Sequence, residues 1–382
     1  MNFTGINLGG WLLMEGYILG GRNIPECRVK REFLKHNGKR ALFDFERVFR
    51  AAYITEEDIK RIAAWGAQCI RVPFHYSLIE TMPYRYSKEG VAVLKDLFRW
   101  ADAHRVKVVL DLHAACGSQN HDWHADSDGK ALLWEKKAFQ ERTLSLWGFL
   151  ADAFKHEPAL LGYDVLNEPV LSRERTDLLK RFYKRCVKSI RASDKEHRIF
   201  LEGNTWAQDV DFLSDVVGDR IAVSVHMYRP LDFTFQFRRG MRYPGNIGGE
   251  DWNIDTVRRH LQCYRDFADK NDTTIFVGEF GVNYRANAYG ELGWVEDMLK
   301  VFKEYGFSWT YWTYKAVSNG VFPDGILQYD DNPPWVRREG PVYGMESYCR
   351  LWKEKRTAII ESWRSEANHM NERLLAVLKK HF

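Results

Sequence analysis

The sequence predicts an α/β protein, a single-domain (β/α)8 TIM barrel with long βα loops and a C-terminal helical extension. Three observations carry that prediction. Eight short apolar runs recur along the 382 residues, and most are separated by an amphipathic helical stretch. Polar residues collect at the C-terminal end of nearly every run. A doubly wound sheet has the same alternation but gives no reason for that gathering, whereas in a barrel all strand ends share one face.

Taken in order, the strands are expected at 4–9, 69–74, 107–113, 162–167, 198–202, 221–228, 274–279 and 307–312, where β-branched and aromatic residues dominate. Helices are expected at 55–65, 91–104, 139–155, 176–192, 256–269 and 294–305. The first opens Thr-Glu-Glu-Asp, a helix start in which a threonine caps and acids face the positive end. Three connections are long enough to be functional: 13–55, 114–137 and 229–255. The stretch 316–344, rich in Gly, Pro and Asp, is expected to roof the site. Residues 346–382 read as charged helices that close the outer ring and extend past it. No repeat, low-complexity run or linker divides the chain, so 1–382 is read as one domain.

Composition narrows the function. Hydrophobic residues at 45% and aromatic residues at 14% suit a large core, and fourteen tryptophans exceed what a core needs. Flat aromatic faces stack on sugar rings, although tryptophan also serves plain cores. A net charge of +4, from 56 basic and 52 acidic residues, is too small to imply nucleic acid or an anionic membrane. Cys27, Cys69, Cys116, Cys186, Cys263 and Cys349 form no CxxC pair and no metal-ligand spacing, which fits a reducing compartment. The N-terminus has no basic stretch followed by an apolar run, so a cytoplasmic protein is expected; a trimmed secreted chain would read the same.

The chemistry concentrates in two strings, Asn167-Glu168-Pro169 and Gly278-Glu279-Phe280-Gly281, each placing a glutamate directly after a β-forming run. Two carboxyls on different strand ends suit retaining glycoside cleavage, in which one protonates the leaving oxygen and the other attacks the sugar. Their separation is then about 5–5.5 Å. The acid needs a raised pKa, expected here from apolar walls and the second carboxylate, and the attacking group needs a cation and donors to stay ionised. Pro169 is expected to end its strand and let Glu168 project from the rim. The remaining strand ends carry Arg71, His113 (in Leu-Asp-Leu-His), Glu202, His226 and Tyr228 (in Val-His-Met-Tyr), and Trp312.

This set of strand ends resembles family 5 of the glycoside hydrolases, in the clan A cellulase superfamily, from Gly5 to about Lys315. The resemblance implies Glu168 as general acid/base and Glu279 as nucleophile. Arg71 would keep the nucleophile ionised, and Tyr228 would donate to it. Asn167 would hold the sugar 2-hydroxyl, His113 and His226 would line the cleaved-sugar subsite, and Trp312 would form a stacking floor. Glu202 either joins the substrate contacts or orients its neighbours. Within the family, Gly5-Ile6-Asn7-Leu8-Gly9-Gly10-Trp11-Leu12 with Glu15, and Gly117-Ser118-Gln119-Asn120, look like the exo-β-1,3-glucanase/β-glucosidase branch. There Glu15 would bind the outer hydroxyls of the terminal sugar and make the pocket blind, with Asn120 among the substrate contacts.

The expected partner is therefore a β-linked oligosaccharide or glycoside, with no metal and no cofactor. The run His121-Asp122-Trp123-His124-Ala125-Asp126 suits sugar hydroxyls or loop bracing better than a metal, which this chemistry does not need. Phe233, Phe235, Phe237, Tyr243 and Trp252 after the sixth strand suggest a platform for a second sugar or an apolar aglycone. Arg238, Arg239 and Arg242 read as a solvated basic face rather than a reader of an anionic substituent. The alternatives are a β-mannosidase, an endo-acting β-glucanase or β-mannanase, a glucosidase of lipid or plant aglycones, a transglycosylase and a non-catalytic carbohydrate-binding barrel.

Overall fold

Eight parallel strands close into a barrel in sequence order: β1 (Thr4–Asn7), β2 (Cys69–His75), β3 (Lys107–Ala114), β4 (Leu160–Asp164), β5 (Arg198–Glu202), β6 (Ile221–His226), β7 (Ile275–Phe280) and β8 (Ser308–Tyr311). The structure, a computed structural model, describes residues 2–318, 320–329 and 345–382. β1 closes the ring, pairing Gly5 with Cys69 on one side and with Thr310 on the other. A side chain at Gly5 would fall 2.0 Å from the Cys69 carbonyl, so closure there requires glycine.

The long helices are α1 (Glu26–Asn37), α2 (Lys39–Tyr53), α3 (Glu56–Trp65), α4 (Lys88–Ala103), α5 (Lys137–Phe154), α6 (Thr176–Arg191), α7 (Ile254–Asn271), α8 (Glu291–Tyr305), α9 (Tyr348–Trp363) and α10 (Glu372–Lys379). The capping box expected before α3 is present, with Thr55 and Asp58 exchanging bonds. One expectation is corrected. The connection 13–55 is not a loop: it holds α1 and α2, whose Phe33, Phe45 and Phe49 pack on Trp352 and Trp363 of α9. Their apolar positions recur at helical spacing, and their partners lie some 300 residues later. Between β5 and β6 the described chain makes only short turns instead of a full helix.

The barrel interior is layered. Its lower part is apolar, with Val109, Phe200, Ala222 and Phe276 packed under Phe3. Above them the strand ends supply Asn7, Arg71, Asp111, Asp164 and Glu202, all with no exposed surface. A polar layer in place of branched apolar residues is costly unless its groups satisfy one another. Most do so around one cation, with one oxygen each of Asp111 and Asp164 left without a partner.

Candidate active site

Arg71 is the hub. Its Nε donates to Asp164 at 2.9 Å, its Nη1 to Glu279 at 2.7 Å and Asn7 at 3.2 Å, and its Nη2 to Asn167 and Glu202 at 2.9 Å each. Asp111 adds a fourth carboxylate 3.1 Å from Nη2. Four carboxyls around one guanidinium leave an excess of negative charge. Burial and the neighbouring Glu202 push Asp164 well above the usual carboxylate range despite Arg71. The Asp111, Asp164 and Glu202 oxygens lie close enough together to hold a metal ion, but the Arg71 guanidinium already binds all three.

Glu279 and Glu168 face each other above this hub. One oxygen of each, together with a His226 ring nitrogen, lies within 4.8 Å of the others. Glu279 receives Arg71 on Oε1 and the Tyr228 hydroxyl on Oε2 at 2.7 Å. Glu168 Oε1 is bonded to His226 Nδ1 at 2.7 Å, and His124 stands 3.5 Å from its Oε2. Burial pushes the Glu168 carboxyl up, but the hydrogen bond and charge of His226, with His124 and His113, outweigh it and lower the pKa to about 2. The expectation of a raised pKa is corrected: the second carboxylate is present, but histidines from three places surround the first. Burial disfavours a charged His226, yet Glu202, Glu279 and Glu168 raise it well above its usual value. Both shifts favour the proton on the imidazole side of this bond.

The backbone at Glu168 is held as firmly as its side chain. β4 ends at Asp164, three residues before Asn167, not at Asn167 as expected. Glu168 adopts φ 45°, a left-handed conformation that non-glycine residues avoid. Its N–H is bonded to Glu202 Oε2 at 2.6 Å and its carbonyl to Asn120 Nδ2 at 2.8 Å. Gln119 donates to the carbonyls of His113 and Asn167, tying the end of β3 to the same turn.

The two glutamates open into a cavity of about 420 Å³. Glu15, Tyr17, His113, Trp123, His124 and Trp312 line its inner part. Trp312 lies flat against His113, 5.5 Å between ring centres, and His113 Nδ1 is bonded to Asp111 at 2.6 Å. Glu15 is 2% exposed, and its Oε1 has no hydrogen-bond partner. Burial, eased by His113 and His124, raises its pKa to about 7.

With this geometry in hand, the chain matches the family model Cellulase (glycosyl hydrolase family 5) over residues 34–318. The chain belongs to glycoside hydrolase family 5. It is a glycosidase that hydrolyses O-glycosyl compounds, in the retaining clan A. Among curated proteins it is similar to a β-xylosidase of Phanerodontia chrysosporium, 27% identical and covering 98% of this chain and 78% of that protein. Endoglucanase C of Acetivibrio thermocellus is 27% identical over 84% of this chain and 93% of its own. A probable glucan 1,3-β-glucosidase A of Aspergillus clavatus is 23% identical over 88% and 89%.

Most residues singled out by the family 5 resemblance meet at this one site. Glu15, His113, Glu168, His226, Tyr228, Glu279 and Trp312 line the cavity, while Arg71, Asn120, Asn167 and Glu202 lie beneath or beside it. One reading changes, and one that was open leans to a side. Asn120 is not among the residues lining the cavity: it is fully buried, with Nδ2 donating to the Glu168 carbonyl and Oδ1 accepting from the Asp122 N–H. Glu202, also fully buried, bridges Arg71 and the Glu168 backbone, so it orients its neighbours. Asn167 gives Oδ1 to Arg71 and leaves Nδ2 without a partner. Sequence reading gave no role to Tyr17, Trp206, Gln119 or Phe322, which carry no strand-end signal; His124 was seen only as part of its loop. Arg238 pairs with Asp232, and Arg242 stacks on Tyr289, in keeping with a solvated basic face. Of the expected roof, Phe322 and Pro323 line the cavity, and 330–344 lies outside the described residues. Among the described residues no helix is long and apolar enough to cross a membrane.

Proposed function

We propose that this family 5 enzyme is an exo-acting β-glycosidase that removes single units from β-glucosides or short β-glucans, with Glu279 as nucleophile and Glu168 as acid/base. The observation that carries the exo reading is Glu15. A buried carboxyl beside the reaction centre with an unpartnered oxygen is an acceptor waiting for hydroxyl donors. The outer hydroxyls of a terminal sugar supply such donors, and a further unit on that side would lose them. The similarity to a β-xylosidase and a probable glucan 1,3-β-glucosidase points the same way. The likeness to Endoglucanase C supports internal cleavage as the second reading.

In this mechanism Arg71 and Tyr228 donate to the Glu279 carboxylate and hold it aimed. As it attacks the anomeric carbon, the bond to the leaving oxygen breaks and the Glu279 charge disappears into an ester. That charge is one of those holding the proton on His226, 3.6 Å away. In the same step the proton passes from His226 Nδ1 through Glu168 to the leaving oxygen, which departs as an alcohol. In the second half Glu168 takes a proton from the attacking water, the ester bond breaks, and the imidazole is recharged. Asn167 Nδ2 is the donor for the 2-hydroxyl, a contact that strengthens in an oxocarbenium-like transition state.

Aryl β-glucoside, mannoside, galactoside and xyloside, offered to wild type and Glu279→Gln, test this reading. Wild type alone should release aryl alcohol, and from the glucoside first. Release by Glu279→Gln would remove the nucleophile assignment, and shortening of long glucans from within would favour the endo reading. Replacing Glu168 with Ala should slow poor leaving groups by about 10²–10⁴-fold. Azide should rescue activated substrates as the β-azide, since it meets an α-linked ester; an α-azide would swap the two roles.

A further inference from the structure

The inner half of the cavity is polar, but its mouth is not. Seven large hydrophobic side chains stand out as exposed among the described residues, and three of them share this mouth: Trp206 at 42%, Leu231 at 41% and Phe237 at 53%. They continue inward through Phe235 and Phe322, whose rings meet each other at 5.4 Å and meet Phe237 edge-on at 5.4 and 6.0 Å. Isolated exposed apolar residues are ordinary; a contiguous set at the entrance of a catalytic cavity marks a ligand surface.

Trp206 is built into place. It sits in a turn where Thr205, Trp206 and Ala207 have φ of 57°, 54° and 59°, three successive residues in the left-handed region. Asn204 anchors the turn by exchanging bonds with the Leu171 backbone, and the Trp206 indole N–H donates to Asp122 at 2.8 Å. Backbone strain of this kind persists where the surroundings over-determine it, and it concentrates at functional sites. A tryptophan so fixed, yet open to solvent on its face, has a contact still to make.

A second sugar would need polar partners along its ring edge. The few polar side chains at the mouth bond first to one another or to Trp206: Asp122 accepts from Trp206, and Gln208 Oε1 accepts from Arg229 at 2.6 and 3.0 Å. The opposite wall offers Leu231, Phe235, Phe237 and Phe322, with no hydroxyl or amide among them. We propose that this mouth binds an apolar aglycone, an alkyl or aryl group attached to the sugar through the bond that is cleaved. The inference rests on the reading of this cavity as the glycosidase site and deepens it by naming the substrate class. Its residues determine specificity and take no part in bond cleavage.

The test uses methyl, butyl and octyl β-glycosides of whichever sugar the aryl panel releases, with a disaccharide of the same terminal sugar, all below micelle-forming concentration. Methanol, butanol and octanol are alcohols of similar acidity, so the broken bond is nearly constant and kcat/KM reports the aglycone contact. Each methylene that becomes buried is worth about fourfold. The octyl to methyl ratio should therefore exceed about tenfold, the octyl glycoside should outrun the disaccharide, and Phe237→Ser with Leu231→Ser should pull the ratio towards one. A ratio near one in wild type, or a disaccharide preferred over the octyl glycoside, overturns the inference while leaving the glycosidase reading intact. A large ratio on a mannoside in place of a glucoside supports it and corrects only the sugar. Silence on every alkyl and aryl glycoside, with internal cleavage of long glucans, overturns it together with the exo reading.

Discussion

Glu15 and Glu168 are both buried in the same cavity, yet the first is pushed up to about 7 and the second is held near 2. Burial opposes the charge on each. The difference is contact: His226 donates directly to Glu168, while Glu15 has an oxygen with no donor at all. Glu15 thus carries a testable cost. Between its unfolded value of 4.5 and about 7 the unfolded chain ionises while the folded one keeps its proton, so stability falls as pH rises through that window and stays lower above it. Glu15→Gln removes the titration. It should leave stability near wild type at pH 4 and raise it at pH 8, by on the order of 3 kcal/mol if nothing else relaxes. Urea unfolding at the two pH values reads this, and an equal difference at both would show that Glu15 does not titrate as stated.

At the scale of elements, the loops after β3 and β4 work as one unit. Asn120 and Gln119, from the first, hold the carbonyls of Glu168 and Asn167 in the second. Glu202, at the end of β5, captures the Glu168 N–H. An unusual φ at Glu168 is stable because two other elements grip its turn, the loop after β3 and the end of β5. Asn120→Ala removes two bonds from this arrangement and leaves polar backbone groups buried, a loss of about 1–3 kcal/mol. The expected result is a kcat at least about tenfold lower with the fold retained. A variant with unchanged kcat would show that the Glu168 turn keeps its geometry unaided. Strand ends advertised the carboxylates, but they did not reveal this grip, because the gripping residues lie 34–48 positions away.

For the molecule as a whole, the C-terminal extension is bolted to the barrel through Lys315, just past β8. Its ammonium is 3% exposed and donates to the carbonyls of Tyr53 and Trp363 and to the Ser365 hydroxyl. The link joins α2, the barrel and α9 at one point. Burial lowers the Lys315 pKa to about 8, against the pull of Asp58. Lys315→Met should leave both carbonyls unpaired and cost about 2–3 kcal/mol. A midpoint of unfolding equal to that of wild type would mean the extension is held by packing alone, such as Trp309 on Phe382 at 5.4 Å between ring centres.

The sequence by itself determined the barrel, the order of its strands and the pair of glutamates, because each of these is written locally. A strand is a short apolar run, a helix start is a cap with acids behind it, and a catalytic position is a polar residue at a strand end. Tertiary structure decided the rest. The helices α1 and α2 lay hidden in an apparent loop, since their apolar faces make sense only against α9. Asn120 and Glu202 hold the Glu168 backbone because the barrel brings it to them. The ionisation of Glu168 reversed the expectation because charge acts through space: His124 and His226 come from separate places in the chain and stand 3.5 and 2.7 Å from one carboxylate, and the charge of His113 adds to theirs.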